Sequence, residues 1–424
     1  MVVPIPVAPG AARLDPSRLG TGFDEAATEL VLAAMRRSLG NPGLCSADSP
    51  SAWCRDLRPV IKIVREIQAQ TGLELSITTF AEARSIAEIG ARLAQRRLGS
   101  STVVRLQDGD GEPMFVLPGL AGAIVELIAL VEEIGHPGPV YALALPGLDG
   151  GSNPHDRVDE LVHELLVDIR RVQPQGRIHL VGYSYGGTLA LEIARLCAPA
   201  DRGLVALIEP AIHEANWPLR VWLRFLLLRP RRPGKARGVE APAAPSPERR
   251  FGSGPLRRCK AMASAMRRAV VGLARHTHQR YGDASRTTFV LTGSYYARNL
   301  PPQLQRVRDS AYRAIALYEP RRYDGEVVYL RTEGGDALTC PPEQVWPSLL
   351  PGIRFVTVPG THASVVAPPH VAALGQAIRL ALARYIPPSF AVFTVPSISP
   401  RSRNTATVTS IASATQGKPR GRSR

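Results

Sequence analysis

The amino-acid sequence predicts an α/β fold with a parallel sheet, preceded by a small helical bundle. Residues 102 to about 386 alternate short apolar runs with segments of helical period, which is typical of a sheet that helices cover on both faces. Residues 22–98 show helical periodicity and no strand-like run. The chain has 424 residues, 45% apolar and 21% charged, which suits two compact domains with buried cores.

The N-terminal part divides into two pieces. Residues 1–21 are rich in Pro and Ala, and we expect a flexible arm there. Residues 22–98 are expected to form a helical domain of carrier-protein size, with helices at 26–39, 56–70 and 85–98. Breaker residues follow the first two helices, namely the Gly-Asn-Pro-Gly run at 40–43 and Gly72.

The second part is expected to hold the α/β core. The predicted strands are 114–117, 140–145, 177–181, 204–208, 326–331 and 354–358. The predicted helices are 123–134, 158–172, 187–197 and 369–385. An insertion of about residues 210–310 interrupts the alternation, and residues 387–424 are expected to be a disordered basic tail.

The net charge of +16 is concentrated outside the predicted core. Residues 218–280 carry 16 Lys and Arg against 2 Glu, and residues 387–424 carry 6 Lys and Arg with no acid. Segments of this kind can dock on an acidic protein partner. No zinc-finger spacing or RNA-binding aromatic motif accompanies them, so a nucleic-acid partner is not expected.

Cysteine usage and hydropathy bear on compartment and cofactors. The five cysteines are scattered without a Cys-x-x-Cys pair, so we expect a reducing cytoplasm and neither a disulfide framework nor a metal site. The longest apolar stretch, residues 115–134, contains one Pro and three Glu, and is predicted to be a strand, a turn and a helix rather than a membrane span. The first residues contain prolines and no basic leader, which argues against a signal peptide.

A Gly-x-Ser-x-Gly motif, Gly182-Tyr183-Ser184-Tyr185-Gly186, separates a buried-strand run from a helical run. The motif by itself is weak, but a strand, a tight turn and a helix hold a serine in a strained bend with its hydroxyl above the sheet. The sequence therefore predicts Ser184 as the nucleophile of a serine hydrolase with an α/β-hydrolase core.

A serine hydroxyl needs a neighbouring base and an acid that orients the base. In this fold the chain order is serine, acid, histidine, and His362 follows the predicted strand 354–358 by four residues. Two acids suit the third position. Glu209 ends the strand after the serine's helix, and Asp336 follows the strand 326–331. From the residues alone, Glu209 and Asp336 are nearly equal candidates for the acid.

The oxyanion hole requires two backbone N–H groups directed at the developing negative charge. One is expected from Tyr185, next to the nucleophile. The other is expected from the turn after the strand 114–117, where Pro118 has no N–H and Gly119 or Leu120 must donate.

Four landmarks occur in order over about residues 102–386: residues 115–119 (FVLPG), 140–150, 182–187 and 359–362 (PGTH). Together they resemble the type I thioesterase domains that end polyketide and nonribosomal peptide assembly lines. The resemblance implies release of an acyl, polyketide or peptidyl chain from a carrier-protein thioester, by hydrolysis or cyclisation through an acyl-serine intermediate. It favours Glu209 as the acid, although an aspartate is typical there, and implies that the insertion is a helical lid.

Residues 56–75 resemble the second-helix region of an acyl or peptidyl carrier domain, through Asp56-Leu57-Arg58, residues 61–64 and residues 72–75. In that family a serine that receives phosphopantetheine follows the aspartate. Leu57 stands there and has no hydroxyl, so we expect no attached cofactor and a thioester brought by a separate carrier protein or synthase complex. A carboxylesterase or acyltransferase with the same triad, and a non-catalytic interaction module, are the alternatives.

Overall fold

The structure is a computed structural model that describes residues 22–148, 152–212, 216, 300–334 and 341–385. The predicted arm, most of the predicted insertion, Asp336 and the predicted tail lie outside these residues. None of the described helices is both long enough and apolar enough to span a membrane.

Residues 22–94 form helices and connecting turns. The helices are α1 (Gly22–Leu39), α2 (Pro50–Trp53), α3 (Leu57–Thr71), α4 (Thr79–Glu82) and α5 (Ile86–Ala94). α1 packs against both α3 and α5. The three predicted helices are present, but α5 ends four residues before the predicted end, and Arg96 just beyond it has a positive φ of 54°.

Local sequence determines both ends of α3. The Asp56 carboxylate accepts the Arg58 N–H at 2.8 Å and caps the first turn, while Gly72 adopts the left-handed conformation that ends the helix. Between these caps the buried residues recur on one face of the helix: Leu57, Val60, Ile61, Ile63, Val64 and Ile67. Burial of this face against α1 holds the bundle together.

The α/β part contains a seven-stranded sheet in the order β1-β3-β2-β4-β5-β6-β7. Its strands are β1 (Val103–Gln107), β2 (Met114–Leu117), β3 (Val140–Leu143), β4 (Ile178–Tyr183), β5 (Arg202–Ile208), β6 (Val327–Thr332) and β7 (Ile353–Val358). Neighbouring strands are parallel except for β1, which pairs antiparallel with β3 at the sheet edge. The strand β1 is not among the predicted strands, because a short and partly exposed edge strand gives a weak apolar signal.

Helices cover the sheet. They are α6 (Ile128–Ile134), which follows a 3₁₀ turn at Ile124–Leu127, α7 (Val158–Val172), α8 (Tyr185–Leu196), α9 (Pro302–Leu317), α10 (Trp346–Leu349) and α11 (Val371–Leu382). The α6 helix packs against α11, and α7 packs against α8. The predicted α/β fold is confirmed, while the predicted insertion boundary near residue 310 falls inside α9.

The direction of the crossovers reverses between β2 and β4. From β2 the chain crosses to β3 on one side, and from β4 it crosses to β5 on the other side. Since such parallel crossovers are right-handed, their helices lie on opposite faces of the sheet. Ligand sites in open α/β sheets lie at such a point, beyond the carboxyl ends of the strands.

Candidate active site

Ser184 occupies the turn between β4 and α8. It has φ 53° and ψ −115°, a conformation that a residue with a side chain rarely adopts and that costs about 1–3 kcal/mol. Three backbone hydrogen bonds hold the turn in place: the Ser184 N–H donates to the carbonyl of Ile208 at 2.9 Å, and the Ser184 carbonyl accepts from Gly187 and Ala211 at 3.0 Å each. The strained turn therefore holds Ser184 at the carboxyl end of the sheet.

The two motif glycines are required by close backbone contacts. A Cβ atom at Gly182 would lie 2.2 Å from the carbonyl oxygen of Gly186, and a Cβ at Gly186 would lie 2.2 Å from that of Leu117. Neither backbone oxygen can move away as a flexible side chain would. The sequence motif is thus explained by the packing of β2, β4 and α8 around the turn.

His362 lies in the segment that joins β7 to α11. Its Nε2 atom is 3.1 Å from Oγ of Ser184, and its Nδ1 atom is 3.0 Å from Oε2 of Glu209. The start of this segment is hydrogen-bonded to the residues just after β6, because the Gly334 N–H donates to the carbonyl of Gly360 at 3.0 Å. The structure therefore brings Ser184, His362 and Glu209 together.

Glu209 directly follows β5 and has a positive φ of 42°. Its N–H donates to the carbonyl of Leu330 at 3.0 Å, which continues the pairing of β5 with β6 by one residue. Burial on its own raises the pKa of the Glu209 carboxyl, but hydrogen bonds from His362 and Thr332 outweigh burial and hold that pKa below its ordinary value. Glu209 is therefore ionised at neutral pH. Asp336, the other predicted acid, lies outside the described residues.

Thr332 is a site residue that sequence analysis missed. It is the last residue of β6, and both its N–H and its hydroxyl donate to Oε1 of Glu209, at 2.8 and 2.6 Å. The other carboxylate oxygen is thereby left facing His362. A hydroxyl residue at the carboxyl end of the strand next to β5 was the available signal, because carboxyl ends of parallel strands meet at one edge of the sheet.

The two predicted oxyanion-hole residues lie next to Ser184. Tyr185 is the first residue of α8, so its N–H has no acceptor within the helix and lies at the positive end of the helix dipole. An ideal Cβ at Gly119 would be 3.7 Å from Cβ of Ser184, which places the Gly119 turn beside Ser184. A hydrogen bond from the Gly122 N–H to the Gly119 carbonyl, at 2.9 Å, closes that turn.

Comparison with known families gives a match over residues 112–208, to the model described as "Thioesterase domain". This match is the one that the sequence landmarks predicted. The matched residues run from just before β2 to the end of β5, and they include Ser184, Tyr185 and the Gly119 turn. Glu209 and His362 follow the matched residues.

Curated proteins similar to part of this chain are much longer synthetases and synthases. Malpibaldin synthetase of Mortierella alpina is 30% identical over 139 residues, which are 32% of this chain and 2% of the relative. Indigoidine synthase of Streptomyces lavendulae is 31% identical over 173 residues, 39% of this chain and 13% of the relative. The dimodular nonribosomal peptide synthase of Bacillus subtilis is 29% identical over 137 residues, 32% of this chain and 6% of the relative. The chain thus spans a small fraction of the length of these relatives.

Comparison with solved structures gives matches of low similarity, which include thioesterases and a nonribosomal peptide synthetase. The NocB thioesterase domain from the nocardicin cluster has a TM-score of 0.41 and 19% identity, over 67% of this chain and 100% of that one. The type II thioesterase BorB from the borrelidin cluster has a TM-score of 0.39 and 17% identity, over 67% of this chain and 97% of that one. The four-domain nonribosomal peptide synthetase AB3403 has a TM-score of 0.47 and 17% identity, over 81% of this chain and 27% of that one.

The arrangement around Ser184 can support nucleophilic catalysis. With its proton on Nδ1, facing Glu209, the His362 ring presents an unprotonated Nε2 to the Ser184 hydroxyl. A base so placed can accept the hydroxyl proton as the oxygen attacks a carbonyl carbon. Within the described residues, no group of three or more His, Cys, Asp or Glu side chains could hold a metal ion.

Proposed function

We propose that this protein is a serine thioesterase that releases an acyl, polyketide or peptidyl chain from a carrier-protein thioester. The observation that carries the proposal is the chain of contacts from Ser184 through His362 to Glu209, at 3.1 and 3.0 Å, beside a serine in a strained strand–helix turn. Hydrogen-bonded serine, histidine and carboxylate in this order form the constellation used for acyl transfer. The thioesterase family match over residues 112–208 supports a thioester as the bond that is cleaved.

In the first half-reaction Ser184 Oγ attacks the thioester carbonyl carbon while His362 Nε2 takes the hydroxyl proton. The carbonyl oxygen becomes an oxyanion, for which the N–H groups of Gly119 and Tyr185 are the proposed donors. The intermediate then collapses, the carbon–sulfur bond breaks, and His362 returns the proton to the departing thiolate. The products are an acyl-Ser184 ester and a free thiol on the carrier.

In the second half-reaction a second nucleophile attacks the acyl-Ser184 ester. His362 removes a proton from that nucleophile and returns it to Ser184 Oγ as the ester bond breaks. Water gives a free acid, and a hydroxyl or amine within the acyl chain gives a lactone or lactam. Glu209 orients the His362 ring throughout and stabilises its protonated form, a role supported by the lowered pKa of its carboxyl.

The N-terminal helical domain is proposed to be a docked module that bears no cofactor of its own. Its Leu57 has no hydroxyl that could be esterified, and the side chain is 3% exposed at the start of α3. The domain also makes polar contacts to the α/β part: the Glu74 carboxylate accepts the N–H of Gln303 at 2.7 Å, and Arg55 pairs with Glu132 at 2.8 Å.

A carboxyl group at this contact supports the same docked arrangement. Glu126 lies in the 3₁₀ turn before α6, in the α/β part. Its pKa is raised to about 7, mainly by burial and also by the negative charge of Asp56 in the helical domain. The substrate is therefore proposed to arrive on a separate carrier protein. The basic residues within 218–280, which lie outside the described residues, are the proposed docking site for such a carrier.

We also propose a cytoplasmic location, on the basis of cysteine chemistry. Cys54 and Cys197 are free and buried, and burial raises the pKa of the Cys54 thiol to about 12. Thiols held in the protonated form react slowly and suit a reducing compartment.

Two measurements test the proposed function. A fluorophosphonate probe should label the wild-type protein and a Ser348→Ala control, in which an exposed serine is replaced, but should not label Ser184→Ala. Hydrolysis of an acyl-pantetheine thioester should fall at least about 10³-fold in Ser184→Ala. Absence of labelling in the wild-type protein would favour the non-catalytic interaction module.

Substrate preference separates the proposed thioesterase from a carboxylesterase. The comparison uses an acyl-pantetheine thioester and an oxygen ester with the same acyl chain, each assayed with wild-type protein. We expect the thioester to have the higher kcat/KM. A clear preference for the oxygen ester would replace the thioesterase by a carboxylesterase or acyltransferase. Incubation with coenzyme A and a phosphopantetheinyl transferase should add no mass to the chain, because Leu57 offers no hydroxyl.

A further inference from the structure

Tyr183, the last residue of β4, makes two contacts with His362. Its hydroxyl donates a hydrogen bond to the main-chain carbonyl of His362 at 2.7 Å. Its ring lies against the imidazole, with the ring centroids 5.3 Å apart and the planes inclined by 31°. Tyr183 is 7% exposed, and its hydrogen bond to His362 is partly buried. One side chain thus contacts both the backbone and the ring of the residue that must accept the Ser184 proton.

The backbone of His362 needs such support because the residue lies in a turn and not in a strand. Residues 361–370 contain turns without ladder hydrogen bonds, although Ser364 and Val365 donate back to the carbonyl of Thr361. The hydrogen bonds of the sheet therefore do not fix the distance between the backbone of His362 and Ser184. The Tyr183 hydroxyl links this segment to β4, the strand that also delivers Ser184.

The Tyr183 ring also borders the proposed oxyanion turn. An ideal Cβ at Gly119 would lie 3.4 Å from the Cδ1 and Cε1 atoms of the ring, which is ordinary van der Waals contact. The ring is therefore adjacent to both the Gly119 turn and the His362 ring. Rotation of the Tyr183 side chain would remove its packing contacts with both the Gly119 turn and the His362 ring.

We propose that Tyr183 is a positioning residue for His362. Its hydroxyl fixes the position of the histidine backbone relative to Ser184, and its ring limits rotation of the imidazole. The inference rests on the proposed function, in which Nε2 of His362 must stay within hydrogen-bond reach of Ser184 Oγ. Such reach tolerates little error, since a displacement of about 1 Å can lower a rate by about 10²-fold. Phenylalanine would fill the same space, so the hydroxyl is the group that separates positioning from mere packing.

Tyr183→Phe tests the role of the hydroxyl. We expect kcat for thioester hydrolysis to fall about 10-fold to 100-fold with KM changed by less than about 2-fold, because binding is intact and proton transfer is misaligned. The downfield proton NMR signal of the His362 Nδ1–H, which faces Glu209, should broaden or shift. A purely structural role of Tyr183 would leave that signal in place.

Tyr318→Phe is the matched control. It also removes one tyrosine hydroxyl from a largely shielded hydrogen bond, the one donated to Glu192 at 2.6 Å, but it does not touch the His362 segment. We expect this variant to keep the wild-type kcat and the wild-type NMR signal. Tyr183→Leu, which also removes the ring, should lose more activity than Tyr183→Phe.

Unchanged kcat and an unchanged signal in Tyr183→Phe would overturn the inference and leave the proposed function intact. Equal losses of kcat in Tyr183→Phe and Tyr318→Phe would also overturn it, because loss of any shielded hydroxyl bond would then suffice. A wild-type protein that neither reacts with a fluorophosphonate nor hydrolyses thioesters would overturn the proposed function instead.

Discussion

Replacing Thr332 by valine removes one hydroxyl beside Glu209 and leaves a side chain of nearly the same shape. In the wild-type protein this hydroxyl donates to Oε1 of Glu209 at 2.6 Å, and both residues are buried. A hydrogen bond to a charged group contributes about 1.5–3 kcal/mol. We therefore expect the free energy of unfolding at pH 7 to fall by about 1.5–3 kcal/mol in Thr332→Val.

The lost stability should depend on pH in a defined direction. Burial raises the pKa of the Glu209 carboxyl, but hydrogen bonds from His362 and Thr332 outweigh it and lower that pKa from 4.5, its value in the unfolded chain. A carboxyl with a lowered folded-state pKa adds stability above its unfolded-state pKa and loses it as the pH falls through the folded-state pKa. The difference between wild type and Thr332→Val should therefore be largest at neutral pH and should shrink below about pH 4.5.

Urea unfolding at pH 7 and at pH 4 measures this difference, and Thr357→Val provides the control. Thr357 lies on β7 and its hydroxyl accepts from the exposed Arg331 at 2.8 Å. Loss of that exposed bond should change stability by less than about 0.5 kcal/mol at either pH. A Thr332→Val loss that is equal at the two pH values, or no larger than the Thr357→Val loss, would refute the reasoning.

The remaining predictions concern the proposed acid, the turn at Ser184 and the half-buried carboxyl of Glu126. Glu209→Ala should lower kcat about 10⁴-fold, whereas Asp336→Ala should stay near wild type in the same thioester assay. Gly186→Ala should lower the melting temperature markedly, because its Cβ would lie 2.2 Å from the carbonyl oxygen of Leu117. Glu126→Gln should raise the free energy of unfolding by about 1–3 kcal/mol at pH 8 and little at pH 4.5. The raised pKa of Glu126 costs the wild-type protein stability as the pH rises from about 4.5 to about 7, and that cost is then fully present at pH 8.

Each of these has an outcome that contradicts it. A larger loss in Asp336→Ala than in Glu209→Ala would assign the acid to Asp336. A Gly186→Ala protein with wild-type melting temperature would mean that β2 and α8 can separate without cost. Equal effects of Glu126→Gln at pH 4.5 and pH 8 would show that this carboxyl does not titrate as its surroundings imply.

Much of the fold could be predicted because its signals are local. Asp56 and Gly72 cap the two ends of α3, and the apolar residues between them recur with a spacing that defines one buried face. The strands β2, β4 and β5 are wholly or largely buried, and most of their residues are apolar. The edge strand β1 was missed because half-exposed residues do not form such a run.

The thioesterase family was also predicted from the sequence, and the match over residues 112–208 confirms that prediction. Its landmarks are short turns, and the residue types within each turn can be recognised in the sequence itself. The assignments of Ser184, Glu209 and His362 to catalytic roles, and of Gly119 and Tyr185 to the oxyanion hole, stay predictions until the variants are measured. So does the resemblance of residues 56–75 to a carrier domain.

The sequence by itself determined the turn at Ser184. Gly182 and Gly186 are dictated by backbone atoms that lie within a few residues or on the adjacent strand, and a short motif can encode such sterics. Only the tertiary structure decided which side chains surround that serine. Glu209, Thr332 and His362 meet across separations of 123 and 153 residues, where the strand order, and not any local pattern, sets which strand ends are neighbours. Tyr183 shows the same limit, because its place in the motif was evident while its hydrogen bond to His362 spans 179 residues.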